Sequence, residues 1–179
     1  MYSQTLFVDT LIGEKAPPIN GKNAKDLSLL KLSSLMKNVY REKDSDGEYK
    51  TENGQYVWRV KRNIVVINFF ATYCVPCIRE IPTFNTIADK FREHNVKLLY
   101  VNVDAQTPLS TLRRFIIRHN IEVPMMIPNQ YHAVNEYQVL SLPRIVIIDT
   151  NHRVSNVIVG FREDFETQIT SVINELLPR

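Results

Sequence analysis

Cysteine is almost absent from this 179-residue chain: there are two, and both lie in one four-residue stretch, Cys74-Val75-Pro76-Cys77. A framework of structural disulfides is therefore excluded, whatever the compartment. Long apolar runs are missing as well, and nothing approaches the about 20 residues that a membrane-spanning helix needs. The leading residues, Met1 to Asp9, have neither the basic flank nor the apolar run of a signal peptide. On that reading the protein is either cytosolic or the mature part of an exported one. An excess of charge of one sign is lacking too. The formal net charge is +3, with no arginine-rich run or basic stripe, so nucleic-acid binding has no support. No second C-x-x-C and no paired histidines complete a set of four zinc ligands, and neither a metal nor a separate cofactor is expected. Internal repeats and low-complexity tracts are not apparent. The remaining composition, 44% apolar and 23% charged, is that of one soluble globular domain over residues 1–179.

What is present is organised around Asn63 to Phe91. A run of β-branched and aromatic residues, Ile64 to Phe70, stops at Ala71-Thr72-Tyr73 and leads into the two cysteines. Behind them Ile78, Ile81, Phe84, Ile87 and Phe91 recur at helical spacing. The order is strand, short turn, cysteine pair, helix. A cysteine at a helix N-terminus faces unpaired backbone N–H groups and the positive end of the helix dipole, so its thiolate is favoured over its thiol. The second cysteine, one turn deeper, can reach the first and close a small disulfide. This predicts a redox site whose only redox group is the Cys74–Cys77 pair.

The remaining elements follow in chain order. Between Leu11 and Lys25, two prolines and a Gly21-Lys22-Asn23 turn predict a short N-terminal edge hairpin. Asp26 or Ser28 is placed to cap a helix from Leu29 to Met36. From Lys37 to Arg62 charges crowd and apolar periodicity fades. Asp46-Gly47 and Asn53-Gly54 are turn signals, and Tyr49, Tyr56, Val57, Trp58 and Val60 suit a small inserted hairpin. That excursion is either a solvated surface feature or a flap for partner recognition. Beyond the redox helix come a strand at Val96–Val103, a helix opened by Thr107-Pro108, and a short strand at Ile121–Ile127. A helical turn at Tyr131–Val139 follows, then strands at Ile145–Asp149 and Val154–Val159 and a closing helix at Glu163–Leu177. The expected fold class is α/β, a mixed central sheet with helices on both faces.

Several of these features together resemble the thioredoxin superfamily, and within it the TlpA/ResA-like extracytoplasmic thiol–disulfide oxidoreductases. They are Gly13-Glu14-Lys15-Ala16-Pro17, Asn68-Phe69-Phe70-Ala71-Thr72-Tyr73 before Cys74, and Pro82 five residues after Cys77. Tyr137-Gln138-Val139 leading to Leu142-Pro143, and Gly160-Phe161, complete the likeness. The resemblance implies a thioredoxin fold and thiol–disulfide exchange, with Cys74 attacking a substrate disulfide and Cys77 resolving the mixed disulfide. It replaces the buried aspartate of cytosolic thioredoxins by Asn68 and makes Glu80 the candidate proton acceptor; a solvent-facing Glu80 is the alternative. Pro143 is implied to be a cis-proline presenting the backbone of Leu142 to substrate, with Tyr73, Val75 and Pro76 completing the contact surface. Arg144 stands where a threonine is common, as a substrate contact or a solvated strand residue. The implied partners are a protein disulfide substrate and an electron donor, either membrane-embedded or of thioredoxin type. A monomer outside the cytoplasm, reducing exported disulfides and serving cytochrome c maturation, is the expected setting. A general cytosolic thioredoxin-like reductase is one alternative. A copper-binding assembly factor using His132 or His152 is another. A peroxidase would require Pro-x-x-x-Thr-x-x-Cys, which the chain lacks.

Overall fold

The computed structural model describes residues 9–178; Met1 to Val8, which the signal-peptide reading drew on, and Arg179 lie outside the described residues. A seven-stranded sheet carries the molecule. Its core is a parallel trio: β7 (Ile64–Phe70), β8 (Val96–Asn102) and β9 (Met125–Pro128). Antiparallel β10 (Arg144–Ile148) and β11 (Val154–Val159) extend it beyond β7. On the far side β1 (Asn20–Asn23) and β2 (Leu29–Lys31) form an antiparallel edge against β9.

Every residue of β7 is buried. The alternation of a one-sided strand is absent because both sheet faces are covered. Ile64, Val66 and Phe70 face one core, filled by helices α2 (Val75–Lys90), α3 (Leu109–Arg118) and α5 (Phe165–Leu176). Val65, Ile67 and Phe69 face the other, covered by α1 (Leu32–Met36), by α4 (Gln130–Glu136) with the adjoining Tyr137, and by Leu11–Ile19. This is the mixed sheet that the strand–helix alternation predicts, in the thioredoxin fold that the resemblance implies.

Three local expectations need correction. Gly21-Lys22-Asn23 is strand, not turn. The turn falls on 24–28, where Asn23 Oδ1 accepts from Lys25 N and Asp26 Oδ1 accepts from Ser28 N. Gly21 instead serves a close approach, since a Cβ there would collide with the carbonyl oxygen of Ile127. The helix expected over 29–36 is strand β2 followed by a single turn, with no side chain capping it. Thr107 does not cap α3 either, because its hydroxyl is committed to the Asp104 carboxylate and Pro108 occupies the cap position.

The 37–62 excursion is a hairpin of β3 (Lys37–Arg41) and β6 (Trp58–Arg62). Its distal end is elaborated by β4 (Thr51–Glu52) and β5 (Gln55–Tyr56). Asn63 clamps its root: its backbone N–H donates to Met36 O, and its side-chain amide to Leu35 O.

Candidate active site

The strand-to-helix junction forms where the sequence changes period. β7 ends at Phe70, whose carbonyl accepts from Val103 N, and three residues then turn the chain. Thr72 in that turn donates to the Asp104 carboxylate at the end of β8, fixing the loop to its neighbour. Cys74 then takes the cap position of α2. Its sulfur accepts the backbone N–H of Cys77 at 3.2 Å, and Pro76, with no N–H to leave unsatisfied, sits in the first turn. The two cysteines are joined as a disulfide with Cα atoms 5.2 Å apart. Cys74 is 8% exposed and Cys77 2%. The outer sulfur is therefore the one a substrate reaches first.

Around the pair the surface is apolar. Tyr73 and Val75 are 72% and 59% exposed, and Pro76 is exposed as well. The β10–β7 register ends at Arg144 opposite Phe69, so the chain just before β10 lies beside the cysteine loop. The Leu142–Pro143 bond there is cis. Pro143 itself is buried, with its carbonyl accepting from Gly160 N, whereas Leu142 is half-buried. Of the two, Leu142 has the surface to offer.

Glu80 lies one turn beyond Cys77 on the same helix face. It is only 1% exposed, which removes the solvent-facing alternative. Asn68 Nδ2 donates to its Oε2 at 3.3 Å, and burial pushes the carboxyl up to about 7 while the asparagine bond pulls the other way. At that value the group takes up or releases a proton near neutral pH. Tyr100, register partner of Asn68 on β8, is buried against Phe84 with ring centroids 4.8 Å apart. Burial, and then the Glu80 charge, push its phenol upward. Among the described residues, Asn68 Oδ1, Glu80 Oε1 and Tyr100 OH have no hydrogen-bond partner.

Two readings of Arg144 fail. It is neither at the substrate surface nor solvated: buried beneath the opposite sheet face, it donates to Tyr137 O at 2.8 Å and to Asp9 Oδ2 at 2.7 Å. Among the described residues no three His, Cys, Asp or Glu side chains gather in a geometry that would hold a metal. The cysteine–histidine arrangement of the copper reading is thus not formed. Sequence reasoning missed Tyr100 and Asp104, which meet the site only across strands, and the bond by which Thr72 ties its loop to Asp104.

With that geometry established, residues 12–157 match the sequence profile of the AhpC/TSA family. The chain belongs to that family. Within this AhpC/TSA chain, 110 residues are 34% identical to the thiol-disulfide oxidoreductase ResA of Geobacillus kaustophilus, covering 60% of this chain and 62% of the relative. Another 114-residue match, at 26% identity and 64% of each chain, is to ResA of Bacillus anthracis. The chain thus spans less than two thirds of the length of these relatives. Among solved structures, the thiol:disulfide interchange protein DsbE from Chlorobium tepidum superposes with a TM-score of 0.72 at 21% identity, covering 93% of this chain and 98% of that one. StoA from Bacillus subtilis gives 0.55 at 20% identity, covering 75% and 95%. At such identities the likeness is one of fold.

Proposed function

We propose that the protein is a thiol–disulfide oxidoreductase that reduces disulfides of proteins outside the cytoplasm. One observation carries the reading: a disulfide whose outer sulfur caps a helix and whose inner cysteine stands one turn from a buried carboxyl titrating near 7. In the reduced protein the Cys77 N–H and the helix dipole favour the Cys74 thiolate. That thiolate attacks one sulfur of the substrate disulfide, forming a mixed disulfide and expelling the other sulfur as a thiolate, which takes a proton. Cys77 then yields its proton to Glu80 and attacks Cys74 Sγ. The Cys74–substrate bond breaks, the second substrate thiolate leaves and is protonated, and the protein holds the disulfide seen here. Two electrons have moved to the substrate. A membrane-embedded or thioredoxin-type donor must return them.

Tyr73, Val75, Pro76 and the half-buried Leu142 beside Pro143 form the surface on which an extended substrate segment rests. Similarity to the ResA proteins supports an extracytoplasmic setting, with cytochrome c maturation as the context. No helix of the described residues is long and apolar enough to cross a membrane.

The test is capture. A Cys77→Ser variant holds its partner on Cys74, and mass spectrometry of the reducible adduct identifies it. The reading is lost if no adduct forms in extracytoplasmic extracts that the Cys74→Ser control fails to give. A redox titration decides direction: a pair poised near about −270 mV reduces, whereas about −120 mV marks an oxidant. Absence of peroxide turnover separates the protein from peroxidases.

A further inference from the structure

The Lys37–Arg62 hairpin has no part in the chemistry above, and it is rooted away from the cysteine surface. It leaves the body at Asn63, the residue before β7 begins, whereas the disulfide follows the other end of that strand. Seven residues of strand separate the two by about 20 Å. The hairpin is thus rooted at the end of β7 opposite to Cys74.

Every residue of β3 and β6 is exposed, although a free two-stranded hairpin is marginal in water. Directly opposed residues of an antiparallel ladder share a face. The pairs Lys37–Arg62, Val39–Val60 and Arg41–Trp58 therefore share one side, apolar at Val39, Val60 and Trp58 and cationic around them, with the Arg41 guanidinium 5.3 Å from the Trp58 ring and 4.3 Å from that of Tyr56. A recess of about 570 Å³, lined by Val39, Tyr40, Arg41, Lys43, Tyr49 and Trp58, opens there.

Charge is segregated along the hairpin. The stem, 37–43 with 58–62, carries six cations against a single carboxylate, Glu42, which Lys50 and Arg59 already hold at 2.9 and 2.6 Å. The head, 44–57, carries Asp44, Asp46, Glu48 and Glu52 against one lysine. A partner of one sign, such as an anionic bilayer, gains at one end and is repelled at the other. A second copy, turned by a two-fold axis at the junction of stem and head, sets stem on head twice: Trp58, in the last pair of the stem, comes nearest the axis, and Val39 and Val60 lie against the partner's head.

We propose that this hairpin is a homodimerisation element, pairing antiparallel with the hairpin of a second copy and leaving both disulfides outward and free. The proposal replaces the monomer expected from the sequence. A standard interface takes about 20–30 residues from each side, and one face of this hairpin supplies fewer, so the dimer is weak and charge-dependent.

Sedimentation velocity at low salt is expected to show a reversible monomer–dimer equilibrium in the micromolar range, weakened at least about tenfold as salt is raised to about 0.5 M. A head-reversed variant (Asp46→Lys, Glu48→Lys, Glu52→Lys) and a stem-reversed one (Lys37→Glu, Lys61→Glu, Arg62→Glu) are each expected to be monomeric, and their equimolar mixture to form a heterodimer. Trp58→Ser with Val60→Thr gives a monomer by an independent route. Circular dichroism and the potential of the Cys74–Cys77 pair, both unchanged, establish that the variants fold. A wild type monomeric up to about 200 µM, or a mixture that stays monomeric, overturns the proposal. Trp58-dependent binding of a monomer to vesicles of anionic phospholipid overturns it in favour of a bilayer.

Discussion

Glu80 is an acid held where its charge is costly, and that cost is measurable. Burial raises its folded value to about 7 from an ordinary 4.5. A raised carboxyl contributes stability that is full below the unfolded value and lost as pH rises through the folded one. Urea unfolding of the oxidised protein should therefore lose about 3 kcal/mol from this group between about pH 4.5 and 8. Glu80→Gln, neutral throughout, should be free of that loss and the more stable protein at high pH. The same variant should resolve mixed disulfides at least about tenfold more slowly at neutral pH, without the rise near pH 7 that a titrating base gives in rapid-quench kinetics. Arg144 makes a contrasting case. Arg144→Met leaves Asp9 and the Tyr137 carbonyl without their donor, a loss of about 3 kcal/mol, visible as a melting point roughly 10 °C lower. Glu80 was singled out by the resemblance to the ResA-like group, whereas the cysteines were legible in the sequence because their chemistry is local. Arg144 was not, since its acidic partner lies 135 positions away.

Among the elements, legibility follows burial. β7, β8 and β10 were read almost to the residue as continuous apolar runs of strand length, and α2 from its helical spacing. The N-terminal edge hairpin is present, but its turn was placed too early because its polar residues suit either a strand or a turn, and the sheet decided. Gly21 carries the decision. Its lack of a side chain lets β1 close on β9, so the glycine that read as a turn residue is a packing residue. Gly21→Ala should force the two strands apart at a cost of about 1–3 kcal/mol. Hydrogen exchange should then quicken in β1 and β2 while β7 and β8 stay protected. Equal loss of protection in β7 would mean that the edge is not a separate cooperative unit.

At the scale of the molecule, the sheet sets two features at opposite ends of one strand: the cysteine pair follows the end of β7, and the hairpin springs from its start. The hairpin's turns were legible from Asp46-Gly47 and Asn53-Gly54, but its direction was not, because only the strand between it and Cys74 shows that the two are at opposite ends. That geometry makes the parts separable. Neither core includes a residue of the hairpin, and its root is already closed by Asn63 on Leu35 and Met36. Replacing 38–61 by a short glycine–serine turn should therefore leave the melting point within about 4 °C of the parent and the reduction potential of the Cys74–Cys77 pair unchanged. Calorimetry and a redox titration check both. A shortened protein that keeps its potential but exchanges slowly with a small model disulfide would show that the hairpin reaches the cysteine surface after all. Unchanged exchange would confine the hairpin to whatever it binds at the far end.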